Sequence, residues 1–320
     1  MFYSIRHVTR YRYDGPVRES VMQLHMQPKT DGAQRLQSFQ VSTTPRAILQ
    51  AYTDHFGNAV YHFDVPSVHS ELTIEAEAQV EINRTAAPPE WVDASTWAAL
   101  DAPKLKGEHF DWLEDRGIAH ATPALQAFLD EHEIAKLSDP MTTLRRLNRT
   151  IFEAFAYAPH ETEVDSPIDV ALGKRKGVCQ DFSHIMLAVA RSWGIPARYV
   201  SGYLFTKRDA GDRSAEDATH AWVEAFVPGC GWVGFDPTNN ILAGERHIRV
   251  AVGRDYNDVP PSRGVYKGPA NSELAVAVAV RPAQTPRRSD DFLRVVRPMS
   301  RGGRPAGASP FGVQQQQQQQ

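Results

Sequence analysis

Two cysteines in 320 residues, Cys179 and Cys230, are too few for a disulfide framework and favour a reducing compartment. Neither sign of charge dominates. Lys and Arg number 35 against 38 Asp and Glu, the net charge is −3, and no strongly basic domain stands out to bind nucleic acid. No apolar run approaches the length needed to span a bilayer. The first residues, MFYSIRHVTRYRYDGP, lack the charged start and apolar core of a secretory leader. A cytoplasmic protein without nucleic-acid or membrane partners is therefore expected. What is present is ordinary for a globular chain, with 42% hydrophobic and 23% charged residues. The length suggests two compact domains and a tail.

From Phe2 to Ile82 the texture is β. Tyr3, Ile5, Tyr11 and Tyr13 occupy odd positions, Arg6, Arg10 and Arg12 even ones, and Asp14-Gly15-Pro16 reads as a turn. Phe56-Gly57-Asn58 reads as another. Leu72 through Ile82 gives the cleanest alternation. Short strands joined by turns predict an N-terminal β-sandwich over 1–83. His7, His25, His55, His62 and His69 are scattered among these strands without metal-ligand spacing. Residues 84–121, with Trp91 and Trp97, read as a linker that wraps, because its aromatics need burial. Thr122-Pro123 and Asp139-Pro140 each open a helix, with the first residue as cap and proline at the first helical position. Leu144, Leu147, Ile151, Phe152 and Phe155 form an apolar stripe on the second. Residues 122–282 form the second domain, in which Leu274–Val280 alternates as a last strand. Beyond Pro282 the chain turns to Pro, Arg, Gly and Ser and ends in the run Gln314–Gln320, predicting a disordered tail over 283–320.

The chemistry gathers around GVCQDFSHIMLAVARSW, residues 177–193. Phe182, Ile185, Met186 and Val189 recur at helical spacing, so Cys179 falls at the first turn of a buried helix. Unpaired N–H groups and the positive end of the dipole favour a thiolate there. A lone cysteine is more often an inert core residue. Downstream, His220, Trp222 and Glu224 share one strand face, and Trp232, Gly234 and Asp236 share another. Strict alternation lets His220 and Asp236 meet only across a loop with an odd number of residues. A three-residue Pro228-Gly229-Cys230 loop satisfies this, with glycine for a left-handed position. Trp222 then lies opposite Asp236, with His220 as its diagonal neighbour. Thr206–Asp217 reads as a polar, mobile rim. A strand histidine on a polar face and a turn aspartate before Pro237 are bland alternatives, but they leave the order and matched faces unexplained. Together the thiol, imidazole and carboxylate are the parts of nucleophilic thiol catalysis.

GVCQDFSHIMLAVARSWGIPARYVSGYL and ATHAWVEAFVPGCGWVGFDPTNN resemble the catalytic core of the bacterial transglutaminase-like superfamily, and the β-rich start resembles its N-terminal domain. Gly253–Pro261 adds to the likeness. It implies an α+β chain, with an N-terminal β-sandwich before a papain-like core of helices packed on an antiparallel sheet. It implies Cys179, His220 and Asp236 as nucleophile, base and orienting carboxylate, and a protein or peptide substrate with an amine as possible acceptor. The calcium sites of animal transglutaminases have no counterpart, so neither metal nor cofactor is expected. Cys230 departs from the pattern and raises a second reactive thiol.

Three functions stay open. One is a thiol enzyme acting on amide bonds through an acyl-enzyme, as protease, amidase or acyl transferase. Another is a noncatalytic peptide-binding module. The last is a zinc site of Cys179, His220 and Cys230, one ligand short of four. Asp181 in the first helical turn is expected to cap, His184 to be a buried, hydrogen-bonded ring, and Trp222 and Trp232 to be groove walls or core. The glutamine run could be an acyl donor to its own thiol, or inert sequence.

Overall fold

Alternating apolar side chains lay down the first strands, β1 (Phe2–Leu24), β2 (Gln34–Thr44), β3 (Gln50–Thr53), β4 (Ala59–Val65) and β5 (His69–Ile82). This computed structural model describes residues 1–83, 86–207, 211–214 and 218–284. The predicted tail, apart from residues 283 and 284, lies outside the described residues. In β5, Leu72, Ile74, Ala76, Ala78, Val80 and Ile82 are all buried, as their alternation requires.

Two short helices follow, α1 (Thr96–Asp101) and α2 (Pro103–Glu108), where the sequence reading had only a linker. Trp97 packs on the core and donates its indole N–H to Leu137 O at 3.2 Å. Trp91 stays exposed, so the need to bury aromatics holds for one tryptophan and not the other. Next come α3 (Pro123–Glu131) and α4 (Pro140–Ala154), capped by Thr122 Oγ1 and an Asp139 carboxylate oxygen as their sequences predict. Then follow β6 (Ala156–Tyr157), α5 (Ile168–Lys174), β7 (Lys176–Gly177) and α6 (Cys179–Ser192). The strands β8 (Ala197–Leu204), β9 (His220–Val227), β10 (Gly231–Asp236), β11 (Ile241–Leu242) and β12 (His247–Gly253) form an antiparallel sheet in the order β11-β10-β9-β8-β12. From Phe182 to Arg191 every residue of α6 is buried, the mark of an interior helix. It packs on β9 and β8, with Ala221, Val223 and Ala225 in the same core.

The first sheet differs from expectation in two ways. Asp14-Gly15-Pro16 makes no turn: β1 runs through it as one strand, and its register against β5 shifts between Arg12 and Val17. Asn271 holds Asp14 there, through Asp14 N–H to Asn271 O (3.1 Å) and Asn271 N–H to Asp14 Oδ1 (2.9 Å). Proline, which has no N–H to give, falls where the ladder is interrupted. Before this bend β1 pairs with β5, and after it with β4, so the sheet curls over a core of Tyr13, Val17, Leu24, Phe63, Leu72 and Ile74.

The second difference lies at the end of the chain. β13 (Ser262–Lys267) and β14 (Ser272–Pro282) pair with β1, and β14 does so from Tyr13–Ser272 to Tyr3–Pro282. The strand read as the end of the 122–282 domain therefore completes the N-terminal sheet. Alternation identifies a strand and one face but not its neighbour. The two sheets are tied by His7 Nδ1 to Tyr203 Oη (2.9 Å) and by Gln34 Nε2, which donates to Arg249 O (2.8 Å).

Candidate active site

Cys179 is the first residue of α6. Asp181, also in the first turn, accepts hydrogen bonds from Val178 N–H (2.8 Å) and Thr162 Oγ1 (2.7 Å), so it caps the helix, as expected. Burial nevertheless raises its pKa against those two donors. The thiol is half-buried and in no disulfide, as is that of Cys230.

The hairpin has the register that parity demands. Val227 pairs with Gly231 across Pro228-Gly229-Cys230, and Phe235 with Val223, which sets Asp236 opposite Trp222. Gly229 takes φ +86°, the left-handed position foreseen for it. His220 and Asp236 are buried, with Nε2 2.9 Å from Oδ2. Nδ1 faces the other way, 3.3 Å from Ser214 Oγ, and the Cys179 thiol acts on the same ring. The sequence-predicted trio thus comes together.

Electrostatics bind the pair. Burial alone would strip His220 of its charge, but the Asp236 carboxylate, by charge and by hydrogen bond, together with Cys179, raises its pKa. Asp236 is fully buried, yet His220 and a hydrogen bond from His247 hold it well below the usual carboxylate range. Asp236 Oδ1 accepts from the N–H groups of Thr238 (3.0 Å) and Asn239 (3.2 Å). Oδ2 accepts from Asn239 Nδ2 (2.8 Å) and His247 Nε2 (3.2 Å) besides His220.

Ser214, Asn239 and His247 are site residues that local pattern does not single out. Asn239 follows Asp236 by three residues, and its amide also donates to Ser214 Oγ (3.0 Å). His247 opens β12, which lies beyond β8 from β9, and only the curl of the sheet brings it to Asp236. Gly202 on β8 gives the space: a Cβ there would come 2.7 Å from the Trp222 ring. Ser214 lies in the loop predicted as a mobile rim. Residues 208–210 and 215–217 of that loop are outside the described residues, while Asp212 pairs with Arg246 at 2.5 Å.

His184 is buried and accepts from Tyr256 N–H (3.2 Å), and burial lowers its pKa to about 3. Trp222 is buried and stacks on His220, with ring centres 6.0 Å apart. Trp232 lies farther along the hairpin, under the Arg198 guanidinium at 4.1 Å. Cys230 occupies the turn, six residues from Asp236, roughly 20 Å along the strand. There it lines a cavity of about 410 Å³ with Glu224, Trp232 and Arg249. It is therefore no partner for a zinc ion at Cys179 and His220. Among the described residues, the ligand atoms of His220, Asp236 and His247 lie within 4.8 Å of one another, and hydrogen bonds account for that cluster.

An interior helix opened by a cysteine, crossed on a sheet carrying a buried histidine–aspartate pair, defines the class: this chain belongs to the transglutaminase-like superfamily. Residues 130–237, which hold all three residues, match that superfamily, and residues 3–81 match the bacterial transglutaminase-like N-terminal region. An uncharacterized protein of Mycobacterium leprae is 34% identical over 275 residues, 86% of this chain and 96% of its own. A protein-glutamine gamma-glutamyltransferase of Pseudomonas aeruginosa is 34% identical over 159 residues, 47% of this chain but 24% of its own. Among solved structures, a proposed cysteine protease from Cytophaga hutchinsonii superposes with a TM-score of 0.69 at 19% identity, over 89% of this chain and 92% of that one. That likeness shows the fold, a papain-like core behind an N-terminal sheet domain. Among the described residues no helix is long and apolar enough to cross a membrane.

Proposed function

We propose that the protein is a thiol enzyme acting on peptide or side-chain amide bonds, with Cys179 as nucleophile, His220 as acid and base, and Asp236 as its orienting carboxylate. One observation carries this reading: a thiol at a helix start acts on a buried imidazole whose Nε2 lies 2.9 Å from a buried carboxylate. His220 takes the proton of the Cys179 thiol. The thiolate attacks the amide carbon, and the carbonyl electrons move to oxygen. Backbone N–H of Cys179 is suited to hold that oxyanion. As the intermediate collapses, the C–N bond breaks, His220 gives its proton to the departing nitrogen, and a thioester remains. His220 then takes a proton from water or from an amine as either attacks the thioester, and the thiolate is released.

Water makes the enzyme a protease or amidase, and an amine makes it an acyl transferase. A relative is named for each outcome, and hydrolysis is our choice. A noncatalytic binding module would have no use for all three groups together. Two unpaired thiols suit a reducing compartment, and we place the protein in the cytoplasm, which cell fractionation tests. For the activity, purified protein is incubated with a peptide library and a labelled amine and read by mass spectrometry. Cleaved peptides with little amine incorporation are expected. Incorporation without cleavage makes it a transferase, and neither product in any condition overturns the enzyme reading.

A further inference from the structure

His247 belongs to no part of the three-residue scheme, yet its ring is buried against the scheme's centre. Its Nε2 lies 3.2 Å from Asp236 Oδ2, the same oxygen that His220 Nε2 approaches to 2.9 Å. The other nitrogen settles the direction of that bond. Gly244 N–H donates to His247 Nδ1 at 3.2 Å, so Nδ1 is an acceptor and the ring proton sits on Nε2. His247 therefore donates to the carboxylate.

We infer that His247 is a positioning residue, a neutral imidazole whose Nε2–H holds the Asp236 carboxylate in line with His220. The inference rests on the thiol reading above and adds a residue to it. Burial keeps the ring uncharged against the pull of Asp236, and the charges of His220 and Arg246 act in the same direction as burial. Neutrality matters here, because a second imidazolium on the same oxygen would compete with His220 for one negative charge. A neutral donor steadies the carboxylate and leaves that charge to His220. Trp222 braces both rings: it stacks on His220 and meets His247 edge-on, with ring centres 5.1 Å apart.

The test reads Cys179 directly and needs no substrate. In a Cys230→Ser background, the rate of Cys179 alkylation by iodoacetamide is followed against pH for His247→Gln and His247→Leu, with thermal unfolding as the check on folding. Gln keeps an N–H donor near the position of Nε2, whereas Leu keeps bulk without a donor. His247→Leu is expected to react about tenfold more slowly at pH 5.5, the worth of one charge-assisted hydrogen bond, and its acid limb moves to higher pH. His247→Gln is expected to stay within about threefold of the parent, since the donor remains. Should His247→Leu not fold, His247→Asn, whose shorter amide falls short of Asp236, takes its place with the same expectation. A folded donor-less variant with the parent's profile overturns the inference, as does His247→Gln losing as much as His247→Leu. If instead the parent alkylates only with an ordinary alkaline profile, the thiol reading itself falls, whatever His247 does.

Discussion

Asp236 accepts five hydrogen bonds, two on Oδ1 and three on Oδ2, while fully buried. An amide in its place cannot accept on the side where it carries N–H, so Asp236→Asn should leave His220 wrongly held. The expected loss in turnover is about 10²–10⁴-fold with folding intact, checked by steady-state rates beside a melting curve. Cys179→Ala should abolish turnover and leave the melting temperature close to the parent's, because it removes one half-buried sulfur. Wild-type turnover in that variant would rule out the mechanism. The two thiols should also part company: iodoacetamide at mildly acidic pH is expected to label Cys179 well before Cys230. Peptide mapping after a brief exposure reads the ratio, and equal labelling would count against an activated nucleophile.

At the scale of elements, the hairpin of β9 and β10 carries the argument. Its three-residue loop sets the parity that puts His220 and Asp236 on one face, and the loop depends on Gly229 at φ +86°. A side chain there meets the left-handed penalty, so Gly229→Ala should cost about 1–2 kcal/mol. The check is chemical denaturation, where the midpoint falls, together with Cys179 alkylation, which should keep its rate because the strand register is unchanged. This register was legible in the sequence because loop parity and alternation are local rules. The bend of β1 was not. Asp14-Gly15-Pro16 has the composition of a turn, but Asn271, 257 positions away, holds Asp14 and keeps the strand extended.

Across the whole molecule, buried histidines set the response to acid. Burial lowers His184 to about 3 and His7 to about 4. For these rings the unfolded chain binds protons that the folded one refuses, so stability falls as pH drops below about 6.5. At pH 5 the cost is about 2 kcal/mol for each fully buried ring. His220 has the opposite sign. Its raised value makes its contribution complete below about pH 6.5 and lost as pH rises, so it adds nothing to the fall. The net expectation is a lower melting temperature at pH 5 than at pH 7, with a smaller difference in His184→Gln. An unchanged difference in that variant would show that His184 is not a source of the acid sensitivity.

The sequence by itself determined what depends on near neighbours. The apolar spacing of α6 put Cys179 at a helix start, alternation and a three-residue loop matched His220 to Asp236, and the caps Thr122 and Asp139 opened α3 and α4. These follow from periods of 3.6 and 2 and from hydrogen bonds over three residues. Tertiary structure alone decided which distant segments meet. It returned β14 to the first strand of the chain and brought His247 from β12 to Asp236. Sheet neighbours are chosen by edge hydrogen bonds and by the curl of the whole sheet, and neither leaves a local trace in residue order.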